Sequence, residues 1–132
     1  MAKIYFNTRD ELCCVDTDLI AVVTANGNYS RIVYITKSDI QLSVGISKVE
    51  EVLKQYNSTR NKFIRLGRSV IVNHAYMQKI NLLRQFVVLS DNNKNEIRVS
   101  VPKNILKTYK DAVAKSIKIK EQNEKSSLRE KR

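Results

Sequence analysis

The sequence is poor in the residues that most often carry chemistry. Cysteine occurs only as the adjacent pair Cys13-Cys14. In a strand the two point to opposite faces, which argues against a disulfide between them, and two thiols are too few ligands for a zinc site. The single histidine, His74, follows an apolar run and reads as a structural or surface residue rather than a catalyst. The three glycines, Gly27, Gly45 and Gly67, are scattered, so there is no glycine-rich phosphate loop, and no nucleophile elbow is found. No carboxylate pair stands out from the surface background. These absences argue against an enzyme and against a bound metal or cofactor. No apolar run approaches the roughly 20 residues of a membrane helix. Met1–Phe6 is not followed by the apolar region and cleavage site of a signal peptide. A cytoplasmic chain without membrane insertion is therefore expected.

What the chain does have is positive charge, unevenly placed. Its 132 residues suit one domain, and a 42% apolar fraction suits a folded one. The net charge of +11 is not spread evenly, because residues 1–51 carry five basic and seven acidic side chains while residues 52–132 carry nineteen and six. Between Val52 and Ser90 there are seven Lys or Arg and no Asp or Glu. From Lys115 onward seven basic residues face three acidic ones, so the body, residues 1–114, still holds +7. A solvated basic surface would give the same counts. The asymmetry, with arginines set just before the apolar run Val70–Val72, suits the presentation of cations to a polyanion.

Periodicity divides the chain into short strands and two helices. Lys3–Phe6 and Glu11–Val15 read as strands, as does the buried run Leu19–Ala25, which ends at the turn signal Asn26-Gly27-Asn28. Tyr29–Thr36 follows, with Ile32 and Tyr34 on one face and Arg31, Val33 and Ile35 on the other. Ile40–Val44 is a half-buried strand. Ser47 and Glu50 have capping-box spacing, and Val49, Val52, Leu53 and Tyr56 form one apolar helical face, broken at 57–61. Ser69–Val72, Met77–Leu82, Phe86–Ser90 and Glu96–Val101 read as further strands, the last two joined by the polar loop Asp91–Asn95. Pro102 suits the first turn of a final helix with the stripe Ile105, Leu106, Tyr109, Val113 and Ile117. The stripe ends near Lys118, and the charged residues 119–132 are expected to be a mobile tail. The basic half lacks zinc-finger spacing, zipper heptads, RRM aromatics and the paired helices of a helix-turn-helix. If DNA is bound, loops and strand ends must read it.

The order of elements resembles the LytTR DNA-binding domain, the output module of LytR/AlgR response regulators. Ala25-Asn26-Gly27-Asn28-Tyr29 resembles the family's E-A-x-G-N-Y turn. The helix Ser47–Tyr56 resembles its S/T-L-x-E-L-E-x-x-L helix. Phe63–Asn73 is similar to F-x-R-I-H-R-S-Y-I-V-N, with Ile80 at the apolar position after it, and Ile97–Lys103 with the helix from Asn104 resembles the closing V-S-R-R-Y-x-x-x-L segment. The central block is the most specific, and the likeness covers residues 17–114. Residues 1–16 then become strands leading into a LytTR-like domain, 17–118. The resemblance implies a mainly β (α+β), elongated antiparallel fold with one internal and one C-terminal helix, whose loops enter successive major grooves of double-stranded DNA. It implies contacts at Asn28, Tyr29, Ser30 and Arg31, at Arg65, Arg68 and Ser69, and at Lys103 and Asn104. Paired direct repeats and two copies per DNA site are further implications.

Those residue types suit the role. Arg68 can form a bidentate contact to a guanine edge, Lys103 and Asn104 open a helix whose N-terminus favours phosphate, and Ser30 and Ser69 can donate to phosphate oxygens. Arg31 and Arg65 have an alternative reading, as solvated strand residues or ion-pair partners of Asp39 or Glu50, and Tyr29 has one as a core residue. Asn73 is assigned to local backbone groups. Gly67 stands where the family usually has histidine, which is expected to remove a contact and loosen the loop. Val101-Pro102-Lys103 stands where two arginines are common. No receiver domain with a phosphorylatable Asp lies ahead of the matching region. Either a receiver belongs to a longer protein or, as the initial methionine favours, control comes from a partner, abundance or the tail. The leading expectation is a sequence-specific double-stranded DNA-binding transcriptional regulator. A protein-interaction module whose basic face is occupied by a partner, such as a membrane-bound inhibitor, is the alternative. Non-specific or single-strand binding ranks last, since only Tyr29 and Tyr76 are available to stack on bases.

Overall fold

Alternating apolar residues build the chain into antiparallel ribbons. The computed structural model describes residues 2–56, 59 and 61–130, with side chains through 118. In order the elements are β1 (Lys3–Asn7), β2 (Leu12–Asp16), β3 (Ile20–Asn26), β4 (Tyr29–Tyr34), β5 (Asp39–Leu42), α1 (Ile46–Gln55), β6 (Phe63–Leu66), β7 (Val70–Asn73), a 3₁₀ turn (His74–Tyr76), β8 (Met77–Asn81), β9 (Phe86–Ser90), β10 (Glu96–Ser100) and α2 (Lys103–Glu130). The strands form a hairpin β1-β2, a five-stranded sheet β5-β4-β3-β7-β6 and a three-stranded sheet β10-β9-β8. Every pairing is antiparallel. The chain is thus mainly β with two helices, as expected.

The five-stranded sheet is covered on both faces, which is why β3 reads as an unbroken apolar run. One core joins it to the β1-β2 hairpin and α1 through Ile4, Phe6, Val15, Ile32, Val49 and Leu53. The other joins it to the three-stranded sheet and α2 through Val72, Val87, Leu89, Val101, Leu106 and Tyr109. A bulge between Ile20 and Val22 re-phases β3. Ile20 and Val23 therefore enter the first core, and the adjacent Ala21 and Val22 both enter the second. Along β4 and just past it the expected division holds, with Ile32 and Tyr34 at the first core and Val33 and Ile35 at the second. The lead-in hairpin belongs to the first of these cores.

Four details differ from the sequence reading. The strand β6 was not expected; its Phe63 serves one core while Ile64 and Leu66 serve the other, and Arg65 hides the alternation. β4 stops at Tyr34 because Lys37, at φ 77, turns the chain. The capping box does not form. Gly45 is the N-cap without a side-chain bond, so Ser47 lies inside the helix, and Glu50 is committed to Arg65 and Lys54. Tyr56 sits at the C-cap, 40% exposed, instead of on the apolar face. Part of the expected break at 57–61 lies outside the described residues; within it, the buried Thr59 hydroxyl donates to Leu53 O and closes the helix end.

The last helix begins one residue later than its proline suggests. Pro102 O accepts from Leu106 N at 3.0 Å, so Pro102 precedes the first turn. Leu106 and Tyr109 are buried, and Ile117 is 48% exposed. The apolar stripe therefore leaves the body within the helix, while the helical backbone continues to Glu130. No described helix is long and apolar enough to cross a membrane.

Candidate nucleic-acid interface

Strand register gathers two turns at one end of the central sheet. Thr24 of β3 lies opposite both Arg31 of β4 and Val70 of β7. Beyond that rung, Ala25 N donates to Ser69 O at 2.8 Å. The β3-β4 turn, with Gly27 at φ 61, therefore sits beside the β6-β7 turn, with Gly67 at φ 78. Both glycines hold left-handed backbone that other residues adopt at a cost. The start of α2 meets the second turn. A Cβ on Gly67 would lie 2.8 Å from Ile105 Cδ1, and a cleft of about 400 Å³ runs between Gly67, Arg68 and Ser69 on one side and Ser100, Pro102 and Ile105 on the other. The three segments implicated by the resemblance thus share one end of the fold.

Their side chains fall into two groups. Asn28, Arg68, Ser69, Lys103 and Asn104 are exposed, and Tyr29 is 46% exposed, so it is not a core residue. Ser30 differs from the expectation. It is fully buried, and its hydroxyl donates to Val44 O at 2.8 Å. Its parity with Ile32 turns it toward the core, so it has no hydrogen to offer a phosphate.

Ion pairing then separates the arginines. Arg31 of β4 pairs with Asp39 of β5, diagonal to it in the register. Arg65 is braced more fully. Nη1 meets Glu50 Oε1 at 2.9 Å, Nε donates to Gly67 O at 2.8 Å, and Nη2 donates to Arg68 O at 2.8 Å. The fork of the guanidinium thereby links α1 to the turn that presents Arg68. The alternative reading of both residues as ion-pair partners of Asp39 and Glu50 matches this geometry. The loosening expected from Gly67 is offset by these two carbonyl anchors and by its seat on Ile105.

The Arg68 and Lys103 side chains have no hydrogen-bond or carboxylate partner among the described residues. Lys103 opens α2, whose first turn has no acidic residue. A cation there opposes the positive end of the helix dipole, an arrangement that an incoming anion would relieve. The remaining chemistry is structural. His74 Nδ1 lies 2.7 Å from Tyr109 OH, and burial pushes the Tyr109 phenol up to about 12. Burial, then the Glu11 charge, raises the Cys13 thiol, which disfavours a reactive thiolate. Asn73 satisfies backbone groups, donating to Ile20 O at 2.8 Å and accepting from Ala75 N at 3.0 Å. The Glu50 brace was not foreseen as a functional element; its only trace in the sequence was the candidate pairing with Arg65.

This arrangement of antiparallel ribbons, with cation-bearing turns beside a helix start, has relatives. The family model "LytTr DNA-binding domain" matches residues 10–114, and the chain belongs to that family, one of DNA-binding domains and not of enzymes. The fold is similar to the LytTr DNA-binding domain of a Bacillus cereus protein described as a methyl-accepting/DNA response regulator. The two share 18% identity with a TM-score of 0.59, over 86% of this chain and 97% of that one. No curated protein matches the chain.

Proposed function

We propose that this chain is a sequence-specific, double-stranded DNA-binding transcriptional regulator acting in the cytoplasm. The turns at one end of the fold enter major grooves. The observation that carries the reading is the exposed Arg68 on a turn braced by Arg65, beside Lys103 at a helix start, both side chains without a partner among the described residues. Arg68 reads a guanine edge. Lys103, Asn104 and Ser69 hold phosphates, and Asn28 and Tyr29 contact the neighbouring backbone. Arg65 acts through Arg68, and Arg31 contributes background charge. Two copies on paired direct repeats suit an interface confined to one end of the domain.

The test is selection from a random double-stranded pool, with the parent and Arg68→Ala side by side at near-physiological salt. A recovered motif that is relaxed in Arg68→Ala is the expected result. Six to ten phosphate contacts predict a loss of about 10³–10⁵ in affinity between roughly 50 and 200 mM salt. No enriched motif, or affinity indifferent to salt, refutes the reading. In that case a complex with a protein partner that survives Arg68→Ala and Lys103→Ala would identify an interaction module instead.

A further inference from the structure

The β8-β9 turn, 82–85, belongs to none of the three contact segments, yet it is tied to one of them. Phe86 pairs with Ser100, and Val101 N donates to Gln85 O at 3.1 Å. Arg84 and Gln85 face Ser100, Val101 and Pro102 across a shallow cleft. Ser100–Pro102 also line a second cleft with Gly67, Arg68 and Ser69. The β10-α2 junction thus shares one cleft with Arg68 and another with Arg84, with Lys103 immediately after it.

The turn is built to hold its shape. Asn81 Oδ1 accepts from Arg84 N at 3.0 Å, and Gln85 takes the left-handed conformation at φ 59. Behind it, the Arg98 guanidinium lies 4.2 Å over the Phe86 ring, which fixes a further cation on β10. The Arg84 side chain is exposed and has no partner among the described residues. Leu82 packs against the second core, whereas Leu83 is 86% exposed. A leucine that open to water adds nothing to folding, so any gain from it comes from burial against a partner.

We infer that the β8-β9 turn is a fourth DNA contact of this interface, with Arg84 on a backbone phosphate flanking the Lys103 site and Leu83 against a thymine methyl at the groove edge. The inference rests on the DNA-binding reading above. It follows from continuity with the β10-α2 junction, from the unpaired charge, and from pairing a cation with an adjacent apolar side chain. Phosphate and thymine methyl are the two duplex features that such a pair fits.

The test uses the motif selected with the parent. Arg84→Ala is expected to lower the log–log salt slope by about 0.9, the share of one phosphate, and Arg84→Lys to restore it. Leu83→Ala is expected to weaken binding about five- to tenfold. Replacing thymines one at a time by uracil should weaken the parent at one position and leave Leu83→Ala indifferent there. Both side chains are exposed, so melting temperatures should stay at the parent value. Parent-like slope in Arg84→Ala, or parent-like affinity in Leu83→Ala, removes that residue from the interface while the regulator reading stands. If the parent selects no DNA at all, both fall together. Loss in Leu83→Ala without a matching uracil position overturns the base-edge assignment.

Discussion

Arg65 offers the sharpest test of the distinction between touching DNA and aiming the residue that does. Its guanidinium makes three bonds of 2.8–2.9 Å, to Glu50 Oε1, Gly67 O and Arg68 O, and its side chain is 22% exposed. Hydrogen bonds to charged groups contribute about 1.5–3 kcal/mol each. The full sum does not apply in Arg65→Ala, because Gly67 and Arg68 lie at an exposed turn where water can replace the lost donors. Glu50 also retains Lys54 at 3.3 Å. A loss of about 2–3 kcal/mol is expected in urea unfolding. Binding should weaken about tenfold or more, because Arg68 must then be ordered at the moment of association. Arg65→Lys separates the two roles. It can keep the Glu50 ion pair and most of the stability, but it lacks the fork that reaches both carbonyls. DNA affinity, measured by fluorescence anisotropy over a salt series, should therefore fall in Arg65→Lys with an unchanged salt slope. If Arg65→Lys binds like the parent while Arg65→Ala loses about 0.9 in slope, Arg65 is a phosphate contact and the bracing argument is wrong.

Gly67→Ala should cost about 1–2 kcal/mol in stability, since φ is 78 and the new Cβ would meet Ile105 Cδ1 at 2.8 Å; a melting temperature at or above the parent value would show that Ile105 swings away freely and the strain is absent. Ser30→Ala should lower stability by about 1–2 kcal/mol by leaving Val44 O without its donor, with no change in salt slope; a lowered slope would return Ser30 to the interface. Tyr109 is 4% exposed, and its phenol sits at about 12 against an ordinary 10.0. The unfolded chain therefore loses this proton first, and the stability present below pH 10 declines as pH rises from 10 to 12, by at most about 2.7 kcal/mol. Tyr109→Phe should make that decline shallower in denaturant titrations and lose the His74 hydrogen bond at every pH; an unaltered pH profile would contradict the burial argument.

Much of the fold was legible because alternation survives wherever one face of a strand is distinct from the other. The β4 residues divided correctly, and β8, β9 and β10 were recognised close to their observed ends. β6 was missed because its four residues serve two cores and include an arginine, so neither period shows. The helix start was misplaced because Glu50 meets two cations, one of them on β6, and a local spacing rule carries no knowledge of a strand that folds against it. Ser30 was misassigned although its parity with Ile32 was already available. The family motif drew it toward DNA, while the period of two directs it inward. The site's outline could be read from the block Phe63–Asn73. The division of labour inside it could not, since it depends on which carboxylate lies within reach of which arginine.

That division bears on how a basic domain avoids binding every polyanion equally. Some cations of the body are tied down: Arg31 to Asp39, Lys48 to Glu51, Lys62 to Asp18, and Arg65 to Glu50. Exposed pairs of this kind add little stability, but each lowers the local potential where it sits. Arg68, Arg84 and Lys103, which lie beside the β10-α2 junction, are left without such partners among the described residues. Arg68 and Arg84 sit on turns whose shapes are set by hydrogen bonds and by left-handed residues at Gly67 and Gln85. Diffuse charge supplies encounter rate and non-specific affinity, whereas a fixed cation at a fixed turn can discriminate between base edges. Holding Arg68 and Arg84 on turns of fixed shape is a physical route from the first behaviour to the second.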